Sequence, residues 1–234
     1  MSVLFAAIPM LLVSSPWISL PSGGDPVGVH TTGVVLEGGG STALLELPLV
    51  PGEGDDPAVS AMNGELSWES LTGERIDETV AIYAATQHGF TGAGFTVGYD
   101  QGGILSITIR IESYGAYPDE WSQYLCFDTS TGSRLGISEL LDPDEVDSLV
   151  SLLDSMLRDN IAEEIESEGA DLLDADIYAG YSFTEENLNA FSITEDGIWF
   201  HYPFGFPHVI KAMEPDGDLF LPSEAFLPFT PGVT

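Results

Sequence analysis

Ile104-Leu-Ser-Ile-Thr-Ile-Arg-Ile-Glu-Ser113 is the stretch on which the fold class turns. Leu105, Ile107, Ile109 and Ile111 fall on one side of an extended chain, and Ser106, Thr108 and Arg110 on the other. Strict alternation of apolar and polar residues marks a strand with one face on a core and the other toward water. The turn Asp100-Gln-Gly-Gly103 joins this strand to a second β-rich run, Gly92–Tyr99. Downstream, Gln123–Asp128 continues the sheet after a polar, aromatic loop, Tyr114–Trp121, and Asp128–Gly132 closes it with another turn. Strands joined by tight turns pair antiparallel.

Working outward, Thr42–Leu49 and Thr79–Thr86 also read as strands. Ala58–Leu71 carries Val59, Met62, Leu66 and Leu71 at helical spacing, behind the start signals Asp56 and Pro57. Asp142–Ser167 is the strongest helix, with an apolar stripe through Val146, Leu149, Val150, Leu153, Met156, Leu157, Ile161 and Ile165. Asp142 caps it, Pro143 opens its first turn, and Asp144 and Glu145 sit at the positive end of the helix dipole. Ala190–Thr194 and Gly197–Tyr202 form a hairpin through Glu195-Asp-Gly197. The expected fold is α+β: mainly antiparallel sheets packed with one long and one shorter helix, in two subdomains. Residues 1–30 form a leader or linker, 31–100 a smaller N-terminal half, and 101–230 the C-terminal domain.

The chain has 234 residues, with 38 Asp and Glu against 5 Lys and Arg, for a net charge of −33. Nucleic-acid binding needs clustered cations, so that class is excluded, as is docking on anionic lipid. Hydrophobic residues make up 44% of the chain, enough for a core despite the charge. The acidity has two readings: adaptation to high salt, or a field that attracts a cationic partner. Val3–Val13 is too short to span a membrane, and its length suits the apolar segment of a signal peptide. Pro9 and Pro16 also fit an ordinary extended segment. Residues 14–30 have linker composition.

The lone cysteine, Cys126, lies in an apolar run and reads as a buried small hydrophobe. His30, His88, His201 and His208 form no zinc spacing, and the sequence has no nucleophile elbow and no phosphate loop. Asp142–Asp147 lacks the glycine and glutamate of a calcium loop, and Glu214–Asp218 reads as a turn. No cofactor or metal is expected. Two segments stand out as recognition surfaces. One sets Tyr114, Tyr117 and Trp121 beside Asp119 and Glu120. The other, His201–His208, sets Tyr202, Phe204 and Phe206 among prolines, ending Pro207-His208. Aromatic residues held on loops are common binding anchors, although the same rings also serve to plug a sheet end.

Several motifs occur in a characteristic order: Gly103-Ile-Leu-Ser-Ile107, then Phe127-Asp-Thr-Ser-Thr-Gly132 leading to Leu141 and the long helix, then Phe191–Phe200 with its Asp-Gly turn, and finally Leu221-Pro-Ser-Glu-Ala-Phe226. This pattern resembles the extracytoplasmic domain shared by the anti-sigma factor RsiV and the non-catalytic part of the peptidoglycan deacetylase PdaC, over about residues 42–229. The resemblance implies an envelope-facing, non-enzymatic module whose relatives include a lysozyme-binding ectodomain. It aligns the family's Pro-aromatic recognition loop with Phe206-Pro207-His208, where histidine replaces tyrosine, and the family's Gly-Gly-Ala-His loop with Tyr114-Gly-Ala-Tyr117. The expected partner is a basic, lysozyme-like protein or cell-wall glycan. The alternatives are a hydrolase of wall glycan working through paired carboxylates, and a halophile-adapted domain with no cationic partner.

Overall fold

The alternating segment forms β4 (Ile104–Tyr114) at the heart of the computed structural model, which describes residues 16–21, 23–52, 55–168 and 177–231. The apolar Val3–Val13 run lies outside these residues. On either side of β4 are β3 (Gly89–Gln101) and β5 (Pro118–Asp128), both antiparallel to it. Gly102 and Gly103, at φ 59° and 82°, make the β3–β4 turn. A two-residue hairpin with both central residues in the left-handed region matches strand twist and is easiest for glycine. The hairpin of β1 (His30–Gly38) and β2 (Ser41–Leu49) completes a five-stranded sheet in sequence order. It joins through one parallel pairing, Leu45 opposite Ala93. The subdomain boundary expected at residues 100 and 101 falls in the β3–β4 hairpin, whose strands share this sheet.

One face of the sheet buries Leu36, Leu45, Leu105, Ile107, Ile109 and Ile111 against three short helices: α1 (Pro57–Glu65), α2 (Trp68–Thr72) and α3 (Ile76–Thr86). Two readings of the sequence need correction here. The single helix expected over Ala58–Leu71 is divided at Leu66-Ser67, because Ser67 caps a new helix through its hydroxyl. Thr79–Thr86, expected as a strand, is part of α3. Thr79 and Tyr83 are buried one helical turn apart, and Asp77 and Glu78 occupy the positive end of the dipole. The β-favouring Thr, Val, Ile and Tyr side chains misled the reading, since a four-residue periodicity facing a core outweighs intrinsic propensity.

The opposite face is covered at one end only. There Tyr99, Ile104 and Cys126 pack on a three-stranded antiparallel sheet of β6 (Phe191–Ile193), β7 (Gly197–His201) and β8 (Asp218–Pro222). Behind it lie α4 (Val146–Glu168), contributing Leu149, Leu153, Leu157 and Ile161, and the short α5 (Ser223–Phe226). The Asp142 carboxylate accepts from the Asp144 amide, so the acidic Asp142–Asp147 run is a capped helix entry. Ser106, read as solvent-facing, is instead buried where the sheets meet, and its hydroxyl accepts from the Ile193 amide at 2.9 Å. The described part of the 14–30 segment is irregular but docked. Trp17 Nε1 donates to the Thr194 carbonyl at 2.9 Å, and the Ile18 carbonyl accepts from the Tyr99 hydroxyl at 2.8 Å. Among the described residues, no helix is long and apolar enough to cross a membrane.

Candidate functional site

Beyond the small sheet, the outer face of the five-stranded sheet is open. Alternation on β4 places Thr108, Arg110, Glu112 and Tyr114 there, with Ser122, Glu120 and Pro118 opposite the last three on β5. The segment Tyr114–Trp121, expected as a loop, is mostly strand. Only the tip, Gly115–Tyr117, turns, and β5 begins at Pro118. The hairpin tip leans toward the segment after β7, and together they enclose a cleft of about 740 Å³.

This cleft brings together five of the residues singled out from the sequence: Tyr114, Tyr117, Asp119, Glu120 and Phe206. Tyr114 and Tyr117 are 43% and 62% exposed, and the Tyr114 ring meets His88 edge-to-face at 5.2 Å. Other candidates lie elsewhere. Trp121 points to the helix-covered face, where it packs on Phe90 at 6.0 Å. Tyr202 and Phe204 belong to an aromatic cluster with Tyr181, with Phe204 5.0 Å from Tyr202 and 5.2 Å from Tyr181. They plug the end of the small sheet, and burial pushes the Tyr202 hydroxyl above its ordinary pKa. Pro207 is exposed and caps the 3₁₀ turn His208–Met213. The side chain of His208 lies outside the described set.

The cleft also contains residues that sequence reasoning passed over. Arg110 contacts Glu112 at 2.6 Å and Glu120 at 3.0 Å, and Lys211 contacts Glu214 at 2.6 Å. Two of the chain's five cations thus line one cleft. Arg110 was legible as the one cation on the outward side of an alternating strand. Lys211 was not, because its approach depends on the path of the chain after β7.

Sequence reasoning also missed a hydrogen-bonded chain across the small sheet. His201 Nε2 lies 2.9 Å from the Ser192 hydroxyl, and Nδ1 lies 2.7 Å from Asp218 Oδ1. The ring stacks on Tyr124 of β5, with centroids 3.6 Å apart. Burial, and then the nearby Asp218 carboxylate, raise the Tyr124 hydroxyl above its usual pKa. The order of hydroxyl, imidazole and carboxylate is that of a serine-hydrolase triad. Here, however, the serine is mid-strand and only 7% exposed, while the aspartate side chain is 52% exposed. The group lies outside the cleft and ties β6, β7 and β8 to β5. No group of three or more His, Cys, Asp or Glu among the described residues is placed to hold a metal ion.

No protein-family model matches the chain, and no curated protein matches it. Solved structures do share its fold. A DUF3298 family protein from Pseudomonas aeruginosa PAO1 superposes with a TM-score of 0.61 at 12% identity, covering 89% of this chain and 96% of that one. A DUF3298 family member from Bacteroides fragilis NCTC 9343 superposes with a TM-score of 0.54 at 16% identity, covering 87% and 92%. At these identities the likeness speaks for the fold.

Proposed function

We propose that the chain is a non-enzymatic binding domain of the RsiV-like kind. It acts outside the cytoplasm and takes a basic protein, such as a wall-lytic enzyme of the lysozyme type, on the rim of the cleft. One observation carries the reading: the Tyr114–Glu120 hairpin tip and Phe206 of the second segment line the same cleft, with Tyr117, Asp119 and Glu120 exposed. The residue-level resemblance to the RsiV domain supports the choice of partner. A net charge of −33 steers a cationic protein toward the surface and raises its encounter rate. At the rim, carboxylates meet the partner's Lys and Arg, and the exposed tyrosines offer flat, amphipathic anchors that also attract cations over the ring face. Arg110 bridges Glu112 and Glu120 into one ion cluster.

Titration with hen lysozyme by calorimetry tests the proposal. Saturable binding is expected, weakening steeply as salt rises. Tyr117→Ala is expected to weaken it by roughly tenfold, the usual cost of removing an interface anchor. Absence of saturation at about 0.1 mM lysozyme in low salt overturns the proposed partner. Folding that requires molar salt, combined with no binding, would instead favour salt adaptation as the origin of the charge.

A further inference from the structure

The five-stranded sheet has two edges, β1 and β5, and they are built differently. An unpaired edge offers a row of backbone donors and acceptors to any strand that meets it, and charges, prolines and bulges are what normally blunt it. β5 is blunted. It opens on Pro118, Asp119 and Glu120, and its far end pairs with Ser133–Leu135 through the Phe127–Arg134 bridge. β1 is not. It contains no proline, lysine or arginine, its register with β2 runs unbroken from His30–Leu49 to Gly38–Ser41, and its one acid, Glu37, stands next to its end. The two-residue turn at Gly39 and Gly40 makes Gly38 and Ser41 a hydrogen-bonded pair, so Thr32, Val34 and Leu36 bond to β2. The backbone groups of Thr31, Gly33, Val35 and Glu37 therefore point outward, and among the described residues no strand takes them.

A second feature lies on the same edge. Val35 and Leu44, a cross-strand pair on the outer face, are 57% and 48% exposed. Beside them Gly33 leaves a notch: a Cβ there would lie 3.6 Å from Leu44 Cδ1, so the leucine leans over the glycine. Valine and notch are two residues apart on one strand. A copy of β1 running antiparallel, with the two-fold axis at Val34, sets Val35 of each chain opposite Gly33 of the other and against its Leu44. The same register sets Thr32 opposite Leu36, and Thr31 opposite Glu37, where a hydroxyl can donate to the carboxylate. A chain of net charge −33 resists its own copy wherever carboxylates are opposed, and across these joined edges none are. The edge is thus complementary to itself in hydrogen bonds, in shape and in charge.

We infer that β1 is a self-association edge, at which two copies of the chain pair antiparallel about Val34 and join their five-stranded sheets into one. β1 lies outside the cleft, and the inference does not depend on the partner proposed there.

Sedimentation velocity across protein concentration and salt is the test. A joint limited to one strand edge is small, so the expected dimer is weak, with a dissociation constant of about 0.1 mM or tighter in ~1 M NaCl. Low salt should loosen it, because the unscreened charges of the two copies repel, which is the opposite of the salt dependence expected for lysozyme. Val35→Lys places a charge in the joint from a surface position. It should abolish the dimer while leaving the melting temperature close to that of the wild type. Val34→Cys reads the register. On the axis, a non-hydrogen-bonded position faces itself with Cα atoms about 4.5 Å apart, within reach of a disulfide, so mild oxidation should give a covalent dimer. Thr31→Cys, far from its own copy in this register, should not cross-link, nor should the wild type, whose Cys126 is buried. A chain that stays monomeric at about 1 mM in both salts overturns the inference and leaves the edge to a strand of another protein. A dimer that survives Val35→Lys, or in which Val34→Cys fails to cross-link, overturns it as well.

Discussion

Ser106→Ala is the sharpest probe of how the two sheets are held together. Ser106 is 1% exposed, and its hydroxyl accepts from the Ile193 amide at 2.9 Å, linking β4 to β6. Alanine removes the acceptor but leaves the Ile193 N–H buried, since Ile193 is 0% exposed. An orphaned buried donor costs about 1–3 kcal/mol. Part of that is recovered because a methyl group is easier to bury than a hydroxyl, so the expected loss is about 2 kcal/mol. For a chain of this length that lowers the melting temperature by roughly 4–8 °C. Thr108→Ala is the control. It sits two residues further along on the same face, in the open part of the sheet, and should change stability by no more than about 0.5 kcal/mol. Urea unfolding followed by tryptophan fluorescence measures both changes. Amide hydrogen exchange adds a local reading, because Ile193 should lose protection in Ser106→Ala before the rest of β6. A loss of stability equal to that of Thr108→Ala, with Ile193 still protected, would show that the sheets are held by apolar packing alone.

Other outcomes follow from the same packing. Leu153→Ala empties a fully buried site on α4 and should cost about 2–5 kcal/mol, read as a shifted urea midpoint with an unchanged slope. Burial pushes the Cys126 thiol up to about 12, so a disulfide-exchange reagent at pH 8 should leave it unmodified in the folded chain and label it fully in denaturant. Burial raises the Asp154 carboxyl, but bonds from Arg158 and the Phe183 amide outweigh it and hold the group below the usual aspartate range. Its folded pKa is thus below its unfolded one, so the unfolded chain binds more protons in that window. The stability it contributes is present above the unfolded value and lost as pH falls through the folded one. Asp154→Asn should therefore flatten the acid limb of stability against pH below about pH 4, while a limb identical to wild type would remove this residue from the cause.

Much of this fold was legible in the chain because its signals are local. Alternation in Leu105–Ile111, the glycine pair at 102 and 103, and the capped amphipathic helix after Asp142 each specify a periodicity or a turn through their own residues. What escaped were features set by partners distant in sequence. Thr79–Thr86 has strand-like composition, but the core under β3 and β4 required a helical face there. Ser106 reads as a surface residue until β6 arrives to cover it. The candidate site divides in the same way. Tyr114, Tyr117, Asp119, Glu120 and Phe206 could be chosen as aromatics and acids on turns, but nothing local says that they meet. Trp121 could not be told from them, because whether a side chain faces the cleft or the core depends on where its strand begins, and β5 begins three residues earlier, at Pro118. By itself the sequence determined the charge, the periodicities and the turns, all of which depend on neighbours a few residues apart. Tertiary structure alone decided which faces were covered, which cations reached the acidic hairpin, and where the sheet stayed open, because those outcomes depend on the packing of segments far apart along the chain.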